Sequence, residues 1–234
     1  MTDREIDSRL EKAASVPHRP ARSVLDSIER SIHASLVPVR PLPASWMLSV
    51  GLLLVCAAVA FVGATRLGFF GFQALGLEQR VTILPILVVL TCVAARECVS
   101  HWIPASRHYV APGALVMLVS VTLLCVFALM FRDYHTERFF SAGVVCLSVG
   151  VLHAVPVACL AAWLLRRGLL VDRVSGGTIA GALGGLSGVT VLELHCPNLE
   201  APHVLLWHVG VVPVSALAGA LGGWIYSYSG GRDR

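Results

Sequence analysis

The densest group of reactive side chains in the sequence lies in a short segment between two apolar stretches. From Glu193 to His208 the segment contains His195, Cys196, His203 and a second glutamate. Thiolate and imidazole groups are the usual soft and borderline ligands of zinc, copper or cadmium, and carboxylates add negative charge. The spacing matches no standard ligand motif. Two interpretations therefore stay open: a metal or redox site, and an interfacial loop whose His and Trp side chains lie at the level of the lipid head groups.

The composition indicates that membrane-spanning helices flank this segment. Of the 234 residues, 56% are hydrophobic and 14% charged, against roughly 25% charged in a typical soluble domain. A membrane-spanning helix needs about 20 mostly apolar residues, and six runs are long enough: 46–65, 81–100, 109–131, 141–165, 175–194 and 204–226. The sequence predicts an all-α membrane protein, with an N-terminal arm at residues 1–44 and a bundle of six transmembrane helices at residues 45–234.

The distribution of basic residues predicts how the bundle is oriented. With the N-terminus in the cytoplasm, fourteen Arg and Lys residues fall on the cytoplasmic side and four on the opposite side. Short loops rich in Arg and Lys stay in the cytoplasm. We therefore expect a multi-pass protein of the bacterial inner membrane, with both termini in the cytoplasm and the Glu193–His208 segment facing the periplasm.

Counting residues along the predicted helices places two further cysteines near the periplasmic boundary of the membrane, where the Glu193–His208 segment begins. Cys146 lies about one turn inside the outer end of the fourth span, and Cys125 lies near the outer end of the third. Together with Cys196 these thiols could meet, close to Glu193 and the histidines. In an oxidising periplasm two thiols can form a disulfide or stay poised for a soft metal ion with imidazole help.

The arm has a different composition from the bundle. Seven basic and six acidic residues fall within the first 40 positions, and this near-neutral charge makes direct nucleic-acid binding unlikely. Two short amphipathic helices are predicted, separated by a break at residues 17–20. Their apolar faces consist of Ile6 and Leu10 in the first helix, and Leu25, Ile28 and Ile32 in the second. We expect these faces to be buried on a partner protein, although an arm lying on lipid remains an alternative.

Other patterns narrow the class of protein. Glycines at four-residue steps in the fifth and sixth spans are typical of helices that pack backbone against backbone, and a glycine-lined permeation path is the alternative. The sequence has no Walker loop, no paired carboxylates deep in the membrane, and no regular Ser/His/Asp or His-Glu-x-x-His arrangement. An enzyme is therefore not expected.

The combination of these features resembles a known family. The features are the arm with two amphipathic patterns, a proline-rich lead-in at residues 37–43, six spans, and the Cys-Pro to His to Trp-His segment at residues 196–208. They resemble the NrsF family of membrane-embedded anti-sigma factors, named as negative regulators of sigma F. The resemblance implies that the protein holds an extracytoplasmic-function sigma factor at the membrane and releases it under stress such as heavy-metal exposure.

The resemblance also implies a role for two cysteines. Family members use a periplasmic cysteine pair in sensing, which by motif and depth corresponds to Cys196 and Cys146. We favour a poised pair of thiols over a permanent disulfide, because a sensor needs a state that can change. No obligatory cofactor is implied, and binding of a soft metal ion would be regulatory. The arm carries no zinc-binding anti-sigma motif, so sigma binding would rest on helix-in-groove contacts.

A small metal or solute transporter is the rival interpretation. It is favoured by His153, which falls near the bilayer centre, and by prolines within the spans. It is weakened because the two three-helix halves show no internal repeat.

Overall fold

A computed structural model describes residues 3–14, 22–35, 43–101, 103, 106, 109–136, 139–165 and 172–229. The chain divides into two compact units, Met1–Leu42 and Pro43–Arg234. The described residues are helical or irregular, and the strand-like pairing among them is an isolated bridge between Asp133 and Glu200.

The first unit contains two helices. Helix α1 spans Asp3–Ala14 and α2 spans Arg22–Ser35, as the two amphipathic patterns predict. In α1 the side chain of Ile6 is exposed, while that of Leu10 lies outside the described residues. In α2 the side chains of Leu25, Ile28 and Ile32 are all about half exposed. The predicted break at residues 17–20 and most of the proline-rich lead-in also lie outside the described residues.

The second unit is a bundle of long apolar helices. These are α3 (Ser45–Leu67), the short α4 (Phe70–Ala74), α5 (Leu77–Ser100), α6 (Pro112–Met130), α7 (Phe139–Leu165), α8 (Arg173–His195), the short α9 (Ala201–His203), a π turn (Val204–His208) and α10 (Val211–Ser229). Six stretches are long and apolar enough to cross a membrane: α3, α5, α6, α7, α8, and Ala201–Tyr228, which joins α9, the π turn and α10. The predicted all-α bundle of six spans is confirmed.

Helix α8 lies at the centre of the bundle. Most of its residues are buried, and it packs against α3, α5, α7 and α10. Its glycines allow this approach: a Cβ at Gly177 would overlap the carbonyl oxygen of Gly219 in α10, and one at Gly188 would overlap that of Gly150 in α7. Side chains larger than hydrogen would force these backbones apart. The glycine steps are thus sites of close helix packing.

The ends of two spans differ from the prediction in ways that matter for the site. Helix α8 continues to His195, and its last turn is followed directly by Cys196. The last span begins at Ala201, and a π turn interrupts it. Both differences change which side chains face each other at this end of the bundle.

Candidate metal and redox site

Four side chains from separate elements meet at one end of the bundle. Cys146 comes from α7, Cys196 follows the last residue of α8, His203 belongs to α9, and His208 ends the π turn. The Sγ atoms of Cys146 and Cys196 lie 3.5 Å apart, and the Sγ of Cys196 lies 3.6 Å from Nε2 of His203. One ligand atom from each of the four residues lies within 4.8 Å of those of the other three. We call these four residues the thiol–imidazole cluster.

Local sequence explains how the chain turns into this cluster. The amide of Cys196 donates to the carbonyl oxygen of Leu192, at 2.7 Å, and closes the last turn of α8. Pro197 follows and disfavours continuation of the helix. Pro202 lies in the first turn of α9, where the missing N–H costs nothing. Two prolines thus bracket a short irregular segment between the spans.

The π turn sets the direction of the two histidines. Residues five apart point in different directions on an α-helix with 3.6 residues per turn. In the π turn the amide of Val209 donates to the carbonyl oxygen of Val204, at 3.3 Å, so each turn holds more residues. The rings of His203 and His208 consequently lie edge to face, with their centroids 5.3 Å apart.

A buried carboxylate holds one of the imidazoles. Nδ1 of His208 donates to Oε1 of Glu193 at 2.7 Å, and both side chains are 2% exposed. Nε2 of His208 has no hydrogen-bond partner among the described residues, and His208 is one of the four converging residues. A carboxylate on one ring nitrogen fixes the tautomer and leaves the lone pair of the other nitrogen for a metal. Glu193 therefore orients His208 rather than joining the cluster itself.

The surroundings of Cys196 favour the protonated thiol. Its hydrogen bond with Cys146 raises its pKa above the usual thiol value, and burial acts in the same direction, although the nearby imidazoles oppose them. The thiolate is the form that binds metals and attacks disulfides. A metal ion bound here would have to displace the thiol protons.

The donor set fits a tetrahedral ion. Zinc takes thiolate sulfur at about 2.3 Å and imidazole nitrogen at about 2.0 Å, which puts ligand atoms about 3.3–3.8 Å apart in a tetrahedron. The four ligand atoms of the cluster lie within 4.8 Å of one another. The distance between the farthest atoms would have to shorten by only about 1 Å to reach the tetrahedral values. His203, His208 and Cys196 are buried and Cys146 is half-buried. The side chains suit a soft or borderline cation held away from bulk water.

Aromatic packing fixes the π turn against α7. The indole of Trp207 lies directly over Gly143, where a Cβ would overlap the ring. The rings of Phe139 and Phe140 flank the indole, with centroids 5.5 and 6.1 Å from it. Since Trp207 precedes His208, this packing holds the last ligand close to Cys146 and α7.

The connection between α6 and α7 contacts the segment between α8 and α9. The amide of Ala201 donates to the carbonyl oxygen of Asp133, and the carboxylate of Asp133 is hydrogen-bonded to the ring of His135. This contact raises the pKa of His135 and lowers that of Asp133. The two connections at this end of the bundle are therefore joined.

Two residues expected near the cluster lie elsewhere. The helix turns by about 200° between Glu193 and His195, so His195 faces away, with Nδ1 3.2 Å from the carbonyl oxygen of Gly68. Cys125 is exposed on α6, where every fourth residue from Leu115 to Phe127 is buried, and it falls between those positions. The structure thus brings together Cys146, Cys196, His203 and His208, with Glu193 behind them.

His153 contributes nothing to the cluster. Its Nδ1 lies 2.8 Å from the carbonyl oxygen of Val149 in its own helix, and its ring packs against Gly63 of α3. The position of His153, one of the two observations that favoured a transporter, is therefore accounted for by a hydrogen bond within α7 and contact with a neighbouring helix.

Comparison with protein families decides what kind of protein carries this bundle. The family model described as NrsF, negative regulator of sigma F, matches residues 33–226. The chain belongs to the NrsF family. The match includes all four residues of the thiol–imidazole cluster and begins within α2, so most of the arm precedes it. Comparisons with curated proteins and with solved structures found no match.

Proposed function

We propose that this NrsF protein is an anti-sigma factor of the bacterial inner membrane. It binds an extracytoplasmic-function sigma factor through its arm and releases it when the thiol–imidazole cluster reacts. The observation that carries the proposal is the approach of two thiols and two imidazoles at one end of a six-span bundle whose family is named for negative regulation of a sigma factor.

The cluster can respond in two chemically distinct ways. A soft cation such as cadmium would bind the sulfur and nitrogen atoms and release the thiol protons to solvent. Alternatively, an external oxidant would take two electrons and two protons from Cys146 and Cys196 and join them as a disulfide. Metal binding would draw the π turn before α10 and the end of α8 towards α7, whereas the disulfide would draw only the end of α8 towards α7.

Contacts between the helices favour transmission of such a shift along the bundle. Gly177 and Gly181 of α8 contact the backbone of α10, and Gly184 and Gly188 contact the backbone of α7. Helices packed this tightly move as rigid bodies, because the interfaces between them do not deform continuously. A change at the cluster would therefore reposition α8 against both neighbours.

The arm supplies the surface for the sigma factor. The apolar side chains of Leu25 and Ile28 are each 49% exposed on α2, and Ile6 is 38% exposed on α1. An amphipathic helix with this spacing fits a hydrophobic groove on a partner. The excess of Arg and Lys on the N-terminal side of the bundle favours a cytoplasmic arm, where a sigma factor would be within reach.

The decisive experiment measures a sigma-dependent promoter in cells with and without cadmium or a thiol oxidant. We expect Cys196→Ser and Cys146→Ser to lose induction while the protein stays in the membrane. Cys125→Ser is the matched control, because Cys125 is exposed and lies outside the cluster. Induction of both cluster variants at the parental level would contradict sensing at this site.

A further inference from the structure

A groove runs along three helices at the end of the bundle opposite to the thiol–imidazole cluster. It lies between α7 and α10, with α8 as its floor, and has a volume of about 520 Å³. Its walls are mainly small apolar residues, among them Ala154, Ala158, Gly177, Gly219 and Gly222. Helices α7 and α10, which both pack against α8, are thus separated here by a gap.

The groove has the length of one membrane leaflet. On α7 its lining extends from Val151 to Ala162, which is about 16 Å at 1.5 Å per residue. Half of a typical hydrocarbon core is about 15 Å. All three helices belong to candidate membrane spans, so the groove opens towards lipid tails rather than water.

A basic side chain lies at one end of the groove, which we call its mouth. Arg173, the first residue of α8, is half-buried with its guanidinium 4.6 Å from the ring centroid of Tyr226. Its Nη1 donates to the carbonyl oxygen of Tyr226 at 3.1 Å, which uses one of five guanidinium donors. Planar guanidinium groups match the geometry of phosphate oxygens. Tyrosine is likewise typical of the level of the lipid head groups.

The acidic residue next to Arg173 is held by the start of α8. This residue is Asp172, which is exposed. The carboxylate of Asp172 accepts hydrogen bonds from the amides of Val174 and Ser175 and from the Ser175 hydroxyl. It caps α8, and this bonding lowers the pKa of Asp172. Among the described residues Asp172 forms no ion pair with Arg173, so the guanidinium of Arg173 remains available to an anionic ligand.

We propose that this groove binds an anionic glycerophospholipid. One acyl chain lies between α7 and α10, and Arg173 binds the phosphate. The proposal is independent of the sensing function, because the groove and the cluster lie at opposite ends of α7. The lipid would fill the gap that small side chains leave between the two helices.

The test uses the full-length protein in detergent and native mass spectrometry, with phosphatidylglycerol or phosphatidylcholine of identical acyl chains as the probe. We expect one phosphatidylglycerol molecule per protein and about tenfold weaker retention of phosphatidylcholine. Arg173→Gln should weaken phosphatidylglycerol binding by about tenfold, because a charge-assisted hydrogen bond is lost. Arg80→Gln is the matched control, since Arg80 also stacks on an aromatic ring and donates to a backbone carbonyl.

A second pair of variants tests the groove itself. A Cβ at Gly222 meets no atom within 4 Å, so Gly222→Leu should fill the groove without strain and abolish lipid retention. Gly51→Leu is the control, because Gly51 is equally open and lies outside the groove. Unchanged reactivity of the Cys146 and Cys196 thiols would show that the variants are folded. Equal retention of the two lipids, parental binding by Gly222→Leu, or a dimer without bound lipid would each overturn the proposal.

Discussion

The Sγ atoms of Cys146 and Cys196 lie 3.5 Å apart, although 50 residues separate the two cysteines. A disulfide bond is about 2.05 Å long, so the two sulfurs are near bonding distance and are still separate thiols. The pair can react without a large movement of α7 against the end of α8.

The first prediction concerns this pair. Mild oxidation of the purified protein should form a disulfide between Cys146 and Cys196, and prior loading with cadmium should prevent it, because both reactions consume the same thiols. Peptide mass spectrometry after alkylation of the remaining thiols measures the result. Cys92 and Cys159, which are exposed, serve as internal controls and should stay alkylatable. Cadmium that leaves the rate of disulfide formation unchanged would count against a shared site.

The second prediction separates an orienting carboxylate from a metal ligand. Glu193→Gln should lower cadmium or zinc affinity by about tenfold to a hundredfold, because His208 loses the charged partner that fixes its tautomer. Competition with a chromophoric chelator measures the affinity. Glu97→Gln is a suitable control, since Glu97 is also buried but accepts from the amide of Tyr109. Equal affinities for Glu193→Gln and the parent would show that the contact is only structural.

The third prediction concerns the arm. Leu25→Glu or Ile28→Glu should abolish copurification of the sigma factor without affecting membrane insertion, because burying an unpaired carboxylate in an apolar groove costs several kcal/mol. Ser23→Glu adds the same charge on the opposite face of α2 and should have little effect. Sigma factor recovered in parental amounts with both substitutions combined would refute docking through this face.

The fourth prediction concerns the packing of α8 against α10. A Cβ at Gly219 would overlap the carbonyl oxygen of Gly177, so Gly219→Val should reduce stability by about 1–3 kcal/mol through overpacking. Gly222→Ala, one turn further along the same helix, meets open space and should be neutral or slightly stabilising. Thermal unfolding in detergent compares the two. Similar melting temperatures for both variants would mean that α8 and α10 do not pack as described.

The fifth prediction concerns topology. A reporter that is active only in the periplasm should be active when fused after Glu200 and inactive when fused after Arg167, because Arg166, Arg167 and Arg173 hold that connection in the cytoplasm. Opposite results at the two positions would reverse the orientation of the bundle and exclude a cytoplasmic arm.

The spans could be predicted because a membrane-spanning helix depends on a continuous local run of apolar residues. A bilayer requires about 20 apolar residues per helix, and the predicted limits of the fourth span differ from those of α7 by two residues at one end and none at the other. The glycine contacts were also visible in the sequence, since four-residue steps place small residues on one helix face. These features depend on length and periodicity alone.

The geometry of the cluster depends on tertiary contacts and could be predicted only in part. The residue types and their predicted depth identified Cys146 and Cys196. The predicted fifth span stopped at residue 194, one residue before the end of α8, so the sequence did not indicate that His195 faces away from Glu193. The π turn had no sequence signal that we recognise. It depends on the fit of Trp207 over Gly143, which brings together residues 64 positions apart in the chain.

The π turn has a spectroscopic consequence. The indole of Trp207, the residue before His208, packs between two phenylalanine rings, and its buried Nε1 has no hydrogen-bond partner among the described residues. Indole emission depends on the polarity and rigidity of its surroundings. Any reaction that draws His208 towards the thiols tilts this ring, so the protein carries an intrinsic fluorophore beside its own reactive centre, and its occupancy can be followed by light without a label.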